Sequence, residues 1–340
     1  MAAHLIESNY DVTIIDKAND FFTGSSSKNQ NRLHLGFHYP RSIETIQECK
    51  WGYEQFVKLY GFASAPIDEN VYFVANDSKT TVPTMLETFR ACDIPFQSHE
   101  TCEIARTLDI RSVADVNLVV GERYIDNNRA RDHFKSLLRD RFAYVPPERC
   151  SSVRQIKEYM NMGDDCFVVN CTYNHLNPIG NCSYELFLSL LYKSDVPGTF
   201  AVTVMDGPFF SIFPYDVEER LYTVTSVEHG VVYSGTKIIE MTIDDETLAD
   251  KKRKIEALLD EFSGNWRSHL AYFDFYLSWK TKPETTTDDR SVRFAMDDGD
   301  VLSIYGGKIT GIFSATQSVD DAMQRRRSES SVIHSGAYSP

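Results

Sequence analysis

The chain has 340 residues, 42% hydrophobic and 25% charged, which is the make-up of a globular protein with room for two domains. A formal net charge of -14 argues against nucleic acid or an anionic membrane as a partner for the surface as a whole. No run approaches the roughly 18 apolar residues of a membrane span, and the start, MAAHLIESNYDV, lacks the basic-then-apolar pattern of a secretory signal.

The elements follow in chain order. AAHLIESNY reads as the end of a helix. DVTIIDK is a short, continuous apolar run closed by Asp16, the pattern of a parallel strand covered on both faces. A polar loop, GSSSKNQNRLHLGFHYPRS, follows it. SIETIQECKWGYEQFVKLYG has apolar residues at helical spacing and stops at Gly61. NVYFVA is a strand, TVPTMLETFRACDI a helix, and SVADVNLVVGERYID a strand-rich stretch ending in a turn. NNRARDHFKSLLRDR is a helix capped by Asp126 or Asn127. DDCFVVNCTYN is another buried strand.

From about residue 184 the texture changes. GTFAVTVMDG, FFSIFPY, RLYTVTSVEHG and TKIIEMTI are β-rich segments split by turns, which predicts an antiparallel sheet. DETLADKKRKIEALLDEF is an amphipathic helix and HLAYFDFYLSWKTK a strand. VLSIYGGKITGIFSATQSVDDAMQRR reads as strand, glycine turn and helix, with RRR at the helix C-terminus complementing the dipole. ESSVIHSGAYSP reads as a disordered tail. Seven cysteines without a CxxC pair predict reduced thiols, a cytoplasmic protein and no metal site.

Asp16 stands where a dinucleotide-binding βαβ unit places the acid that holds the ribose hydroxyls. A glycine fingerprint belongs about 20 residues earlier. Only 15 residues precede Asp16 and none is Gly, so the expectation is a chain that begins inside the first helix of such a unit. The loop has two readings: a solvated surface loop, or a wall of donors around an anionic cofactor. His34 and His38 read first as structural hydrogen-bonders.

HLIESNYDVTIIDKANDFFTGSSSKNQNRLHLGFHYPRS resembles the early part of the FAD-dependent oxidoreductases of the D-amino-acid oxidase superfamily, with its Ser-rich loop and H-x-G-type segment. SIYGGKITGIFSATQSVDDAM resembles the closing motif, FVVNCTYN the late strand of the cofactor domain, and ERYIDNNRARDHFKSLL the re-entry into that domain. The resemblance implies an α/β fold: a discontinuous Rossmann-like FAD-binding domain (1–60, 121–182, 296–328), an inserted antiparallel-sheet substrate domain (61–120, 183–295) and the tail 329–340.

It also implies an oxidoreductase, N-terminally truncated, with FAD as cofactor and a small amine, amino acid or hydroxy compound as substrate, oxidised by hydride transfer. FAD-binding residues would be Asp16, Lys17, Ser25, Ser26, Ser27, Asn29, Arg32, Leu33, His34, Gly36, Val145, Cys171, Thr172, Gly306, Gly307, Lys308, Ile309 and Thr310. Cations for the reacting end are Lys308, Arg41, Lys280, Arg290 and Arg293. Residues 24–36 and 306–310 are expected to flank one cofactor. A cofactor-free relic of the fold and a small-ligand binder without redox chemistry remain alternatives.

Overall fold

The computed structural model describes residues 1–163, 165–207, 210–284, 292–297 and 300–335. The helices are α1 (Ala2–Glu7), α2 (Ile43–Tyr60), α3 (Val82–Ala91), α4 (Glu103–Thr107), α5 (Asn127–Leu138), α6 (Val153–Tyr159), α7 (Asp245–Phe262), α8 (Trp266–His269) and α9 (Ile312–Ser335). The strands are β1 (Ile14–Asp16), β2 (Arg32–Leu33), β3 (Ser64–Pro66), β4 (Glu69–Ala75), β5 (Phe96–His99), β6 (Val113–Val120), β7 (Arg123–Ile125), β8 (Phe142–Tyr144), β9 (Val168–Asn170), β10 (Cys182–Ser194), β11 (Phe200–Met205), β12 (Phe210–Asp216), β13 (Leu221–Ser226), β14 (Val231–Gly235), β15 (Leu270–Pro283), β16 (Arg293–Asp297) and β17 (Val301–Tyr305). They divide into two compact units: 1–21, 134–182 and 290–340 form the first, and 22–133 with 183–289 the second.

The first unit is built on short parallel pairings. β1 runs parallel to β8, with Ile14 opposite Phe142 and Asp16 opposite Tyr144. β9 runs parallel to β17, and β16 adds to β17 antiparallel. Leu5 of α1, Leu302 and Ile304 of β17, and Ala315, Val319 and Ala322 of α9 make its core. The α9 positions recur at helical spacing, so one stripe of that helix is buried. His4 Nε2 lies 2.8 Å from Asp320 Oδ2 and ties α1 to α9. α9 continues to Ser335, past the RRR stretch expected to end it, so those three arginines sit within the helix.

The second unit holds a nine-stranded sheet in the order β14-β10-β13-β12-β11-β4-β6-β5, with β15 on β10. The antiparallel expectation holds for the pairs between β10 and β13, while β11 and β4 meet in parallel, Val202 beside Val71. Strand alternation gives the sheet two different faces. Val71, Phe73, Val202, Val204, Ile212 and Val224 pack with Ile255, Leu259 and Phe262 of α7. Tyr72, Val74 and Met205 turn to the other side, with Met85 and Phe89 of α3 and Ile46 of α2. TKIIEMTI, expected as a strand, is irregular: Ile239 and Met241 are exposed and no strand pairs with them. β10 had no distinct strand signal, because it is buried on both faces along most of its length and shows no polar alternation.

Caps agree with the local sequence. Ser42 accepts from Thr45 N–H at the head of α2, Asp126 from Arg129 N–H at α5, and Asp244 from Thr247 N–H at α7. All seven cysteines are free. No helix among the described residues is long and apolar enough to cross a membrane.

Gly36 has φ +104°, and a Cβ there would lie 2.9 Å from Ile46 Cα, a backbone atom in α2. Both facts demand glycine. We expect Gly36→Ala to lower stability by roughly 1–3 kcal/mol, read as a fall in the denaturation midpoint; an unchanged midpoint would show that the loop can move off α2.

Candidate functional site

In the first unit, three chain turns carry the expected cofactor residues. Asp16 closes β1. Its Oδ1 accepts the Ala18 N–H at 2.8 Å and its carbonyl accepts the Val145 N–H at 2.9 Å, while the carboxylate stays exposed beside Lys17. Val145 is fully buried and backs this turn with apolar surface. Lys17 also bears on His175, whose imidazole is held below its usual range by burial and by that charge.

The second turn follows β9. Buried Asn170 donates from Nδ2 to Ser303 Oγ of β17 at 3.0 Å and to the Leu176 carbonyl at 2.5 Å. Its Oδ1 accepts from Thr172 N–H and Thr172 Oγ1, and Thr172 Oγ1 accepts from Leu176 N–H. Cys171 sits exposed on this pinned turn.

The third turn joins β17 to α9 through Gly306, Gly307, Lys308 and the single 3-10 turn Ile309–Gly311. Gly307 is exposed, and a Cβ added to it would meet nothing nearer than Tyr305 Oη at 3.5 Å. Its own fold therefore leaves open space where a side chain would stand. Lys308 is largely buried. Thr310 is fully buried, and its Oγ1 has no hydrogen-bond partner among the described residues. An orphaned buried hydroxyl carries a desolvation cost of about 1–3 kcal/mol. Here it stands at the head of a 24-residue helix, whose first N–H groups favour negative charge. Arg293 opens β16 opposite Tyr305. Arg290 lies outside the described residues.

In the second unit, the polar loop is folded on itself and on the sheet. Asn29 Nδ2 donates to the carbonyls of Ser25 and Ser26, its Oδ1 accepts the Asn31 N–H, and Ser27 Oγ donates to the Gly24 carbonyl. Tyr215 Oη and Tyr276 Oη donate to the carbonyls of Ser27 and Asn29, their rings stacked at 5.5 Å. Gln30 Nε2 donates to Ser211 Oγ and Thr225 Oγ1. The donors of Gln30 and Asn29 are thus engaged within the unit, while Ser25 and Ser26 are exposed.

Arg32 goes furthest inward. It is 7% exposed, with Nη1 donating to Tyr72 Oη at 2.8 Å and Thr203 Oγ1 at 3.0 Å, and Nη2 to Ser211 Oγ at 3.2 Å. Its guanidinium lies 4.0 Å from the centre of the Phe213 ring and 3.6 Å from Glu122 Oε2. Glu122 is 1% exposed; Oε1 accepts the Leu35 N–H and Oε2 the Tyr72 hydroxyl. His38 Nδ1 reaches the same Tyr72 oxygen at 2.8 Å. Burial pushes the Glu122 carboxyl up against the pull of Arg32, and pushes the Tyr72 phenol far up. Burial, then the charges of Arg32 and His34, hold His38 well below its usual range.

Leu33 is fully buried, and His34 packs by its ring on Tyr39 and His38. Arg41, half-exposed, is ion-paired with buried Asp206. Lys280 stacks over Phe187. Sequence reasoning named Arg32 and His38 but not their partners. Tyr72, Glu122, Thr203 and Ser211 come from separate strands and turns, and no local pattern links them.

No protein-family model matches the chain. Among solved structures, L-proline dehydrogenase from P. horikoshii superposes with a TM-score of 0.66 at 12% identity, covering 91% of this chain and 85% of that one. L-alpha-glycerophosphate oxidase from Mycoplasma pneumoniae, with FAD bound, gives 0.64 at 14% identity, covering 95% and 90%. The chain shares the fold of these two enzymes. By sequence it is similar to the FAD-dependent monooxygenase FPY4 of Fusarium mangiferae, 27% identical over 328 residues, 94% of this chain and 86% of the relative. It is also similar to the FAD-dependent monooxygenase kojA of Aspergillus flavus, 26% identical over 96% of this chain and 84% of the relative.

Two outcomes follow from the network in the second unit. Arg32→Ala leaves Glu122 buried without its cation, and we expect a loss of roughly 3–5 kcal/mol against less than about 0.5 kcal/mol for Ser25→Ala. Equal denaturation midpoints for the two variants would remove Arg32 from this role. The unfolded chain protonates His38 near 6.5 and the folded chain only at lower pH. The stability this supplies is whole above pH 6.5 and is lost as pH falls from there through the folded value. His38→Gln should flatten that part of the stability-pH curve; a variant with the wild-type slope would show that His38 is not its source.

Proposed function

We propose that the chain is an FAD-dependent oxidoreductase that oxidises a small amine, amino acid or hydroxy compound. The observation that carries the reading is the buried Thr310 hydroxyl, unpartnered among the described residues, near the open backbone of Gly307 at the head of α9. A buried hydroxyl and an uncovered glycine turn at a helix N-terminus suit a flat, anionic group that approaches the backbone closely. Curated relatives named as FAD-dependent match more than nine-tenths of this chain in sequence, and a solved structure with FAD bound shares its fold over a similar share.

On this reading Asp16 accepts from ribose hydroxyls, with Lys17 beside it, and Thr172 and its pinned turn border the cofactor. Thr310 Oγ1 would hydrogen-bond it, Gly306 and Gly307 would let it approach, and Lys308, Ile309 and the first N–H groups of α9 would stabilise its negative charge. FAD, when bound, supplies the hydride acceptor. The chain's own residues orient the substrate and balance charge. Arg41, ion-paired with buried Asp206, is a candidate cation for a substrate carboxylate. The names of the curated relatives favour a second reading, in which one atom of O2 enters the product.

Purified full-length protein should carry flavin colour. Turnover under 18O2 separates the readings: label in the organic product marks oxygenation, and label confined to water or peroxide marks dehydrogenation. Gly307→Val should abolish flavin loading and shift the melting midpoint little, because the added Cβ meets no protein atom closer than 3.5 Å. A Val variant that retains stoichiometric FAD would place the cofactor away from this turn, and a colourless wild type incubated with FAD would defeat the reading itself.

A further inference from the structure

In the first unit, the turn after β9 carries a residue that its backbone disfavours. Residues 172–175 close on a hydrogen bond from His175 N–H to the Thr172 carbonyl at 3.2 Å. The two central residues, Tyr173 and Asn174, have φ of +57° and +66°. Those signs belong to a type I′ turn, in which glycine, asparagine and aspartate are the ordinary residues. Asn174 fits. It is buried, its Nδ2 donates to Cys182 Sγ at 3.2 Å, and its Oδ1 accepts the Ile179 N–H at 2.7 Å. Tyr173 does not, because a bulky side chain crowds a left-handed backbone. Asn170 and Asn174 fix the turn through their own amides, so its shape does not require a tyrosine. The Tyr173 ring stays half-exposed and meets the Tyr305 ring at 5.5 Å and 48°. Tyr305 is buried at the end of β17, and its Oη is the nearest described atom to a Cβ added at Gly307, at 3.5 Å. Tyr305 therefore touches both the strained ring and the open side of the glycine turn. The bond from Asn170 Nδ2 to Ser303 Oγ at 3.0 Å holds the two turns together.

We propose that Tyr173 is a cofactor-contacting residue, whose ring forms with Tyr305 an aromatic wall for the flavin ring system seated at Gly307. The inference rests on the FAD reading above. A strained backbone that the fold itself does not need points to a task for the side chain it carries. Glycine or asparagine at 173 would give the same turn with less strain and no ring. What tyrosine adds is a flat, half-exposed aromatic surface whose direction is set by the turn and whose back is supported by Tyr305. A flat heteroaromatic group gains dispersion and quadrupole attraction from such a surface. Because the surface is already in place, little side-chain freedom is lost when the group arrives. Tyr305 Oη borders the space at Gly307 and Tyr173 lies against the Tyr305 ring, so a group several rings long can lie along both.

The test uses the full chain with FAD as the probe. Without FAD, Tyr173→Gly should melt at or above the wild-type midpoint, because glycine relieves the turn. With FAD, the same variant should bind roughly 5–100-fold more weakly, while Tyr173→Phe keeps the wild-type affinity. A residue that served the fold alone would lower the melting midpoint and the affinity together. Emission of the bound flavin is a second readout, independent of turnover and of the glycine variant. A tyrosine in contact with an excited flavin gives it an electron and takes it back, which quenches emission; phenylalanine is too hard to oxidise to do so. Tyr305→Phe leaves Tyr173 as the quencher of the pair, and adding Tyr173→Phe should brighten the bound flavin. Wild-type affinity in Tyr173→Gly, an affinity loss in Tyr173→Phe equal to that in Tyr173→Gly, or equal emission from the single and double phenylalanine variants would each overturn the proposal. A wild type that takes up no FAD overturns the oxidoreductase reading and this proposal together; uptake with unchanged variants overturns the role of Tyr173 alone.

Discussion

The second unit depends on a buried cation. Arg32 and Glu122 are almost wholly removed from water, and a pair so placed persists only when its remaining hydrogen-bonding capacity is met. The surrounding sequence meets most of it. Leu35 N–H and Tyr72 O–H occupy the two carboxylate oxygens, and Thr203, Ser211 and Tyr72 take the guanidinium nitrogens Nη1 and Nη2. Phe213 covers the planar face of the guanidinium. This explains why one face of a β-rich sheet carries Thr203, Ser211 and Thr225 where the other carries Val202, Ile212 and Val224. A helix, α7, covers the apolar face. The other face is crossed by an irregular loop, and irregular backbone needs side-chain partners.

The same constraint accounts for the composition of the loop. Gln30, Asn31 and Arg32 donate to the sheet or its strand ends, and Tyr215 and Tyr276 return hydrogen bonds to the loop carbonyls. A Ser/Asn/Arg-rich stretch reads equally well as a phosphate cradle and as a strap bonded to a sheet, because both need donors. What separates them is what lies opposite each donor, and that depends on strands up to about 200 residues away.

Legibility followed locality. β1 closed by Asp16, the β17–Gly306–Gly307–α9 turn and the cap at Asp126 are written in contiguous residues, and the structure has each of them. β10 and the irregular stretch 236–243 were not legible, since a strand buried on both faces and an unpaired apolar run look alike without knowledge of neighbours. The Arg32–Tyr72–Glu122–His38 network was hidden for the same reason. Its members lie 34 to 90 residues apart, apart from Arg32 and His38 themselves, and Glu122 stands in a turn where a surface acid is the ordinary expectation.

The two units differ in how completely their polar groups are satisfied. In the second, Tyr72 Oη makes three hydrogen bonds and both Glu122 oxygens are filled, so the network spends its bonding capacity on holding shape. In the first, Thr310 Oγ1 is buried without a partner among the described residues, and none of their side chains fills the room beside Gly307. Folding alone would replace such a threonine by valine at little cost, since the two have similar shape and only threonine strands a hydroxyl. A valine at 310 would remove the unsatisfied group; the hydroxyl is useful to the chain only if something other than the described residues completes it.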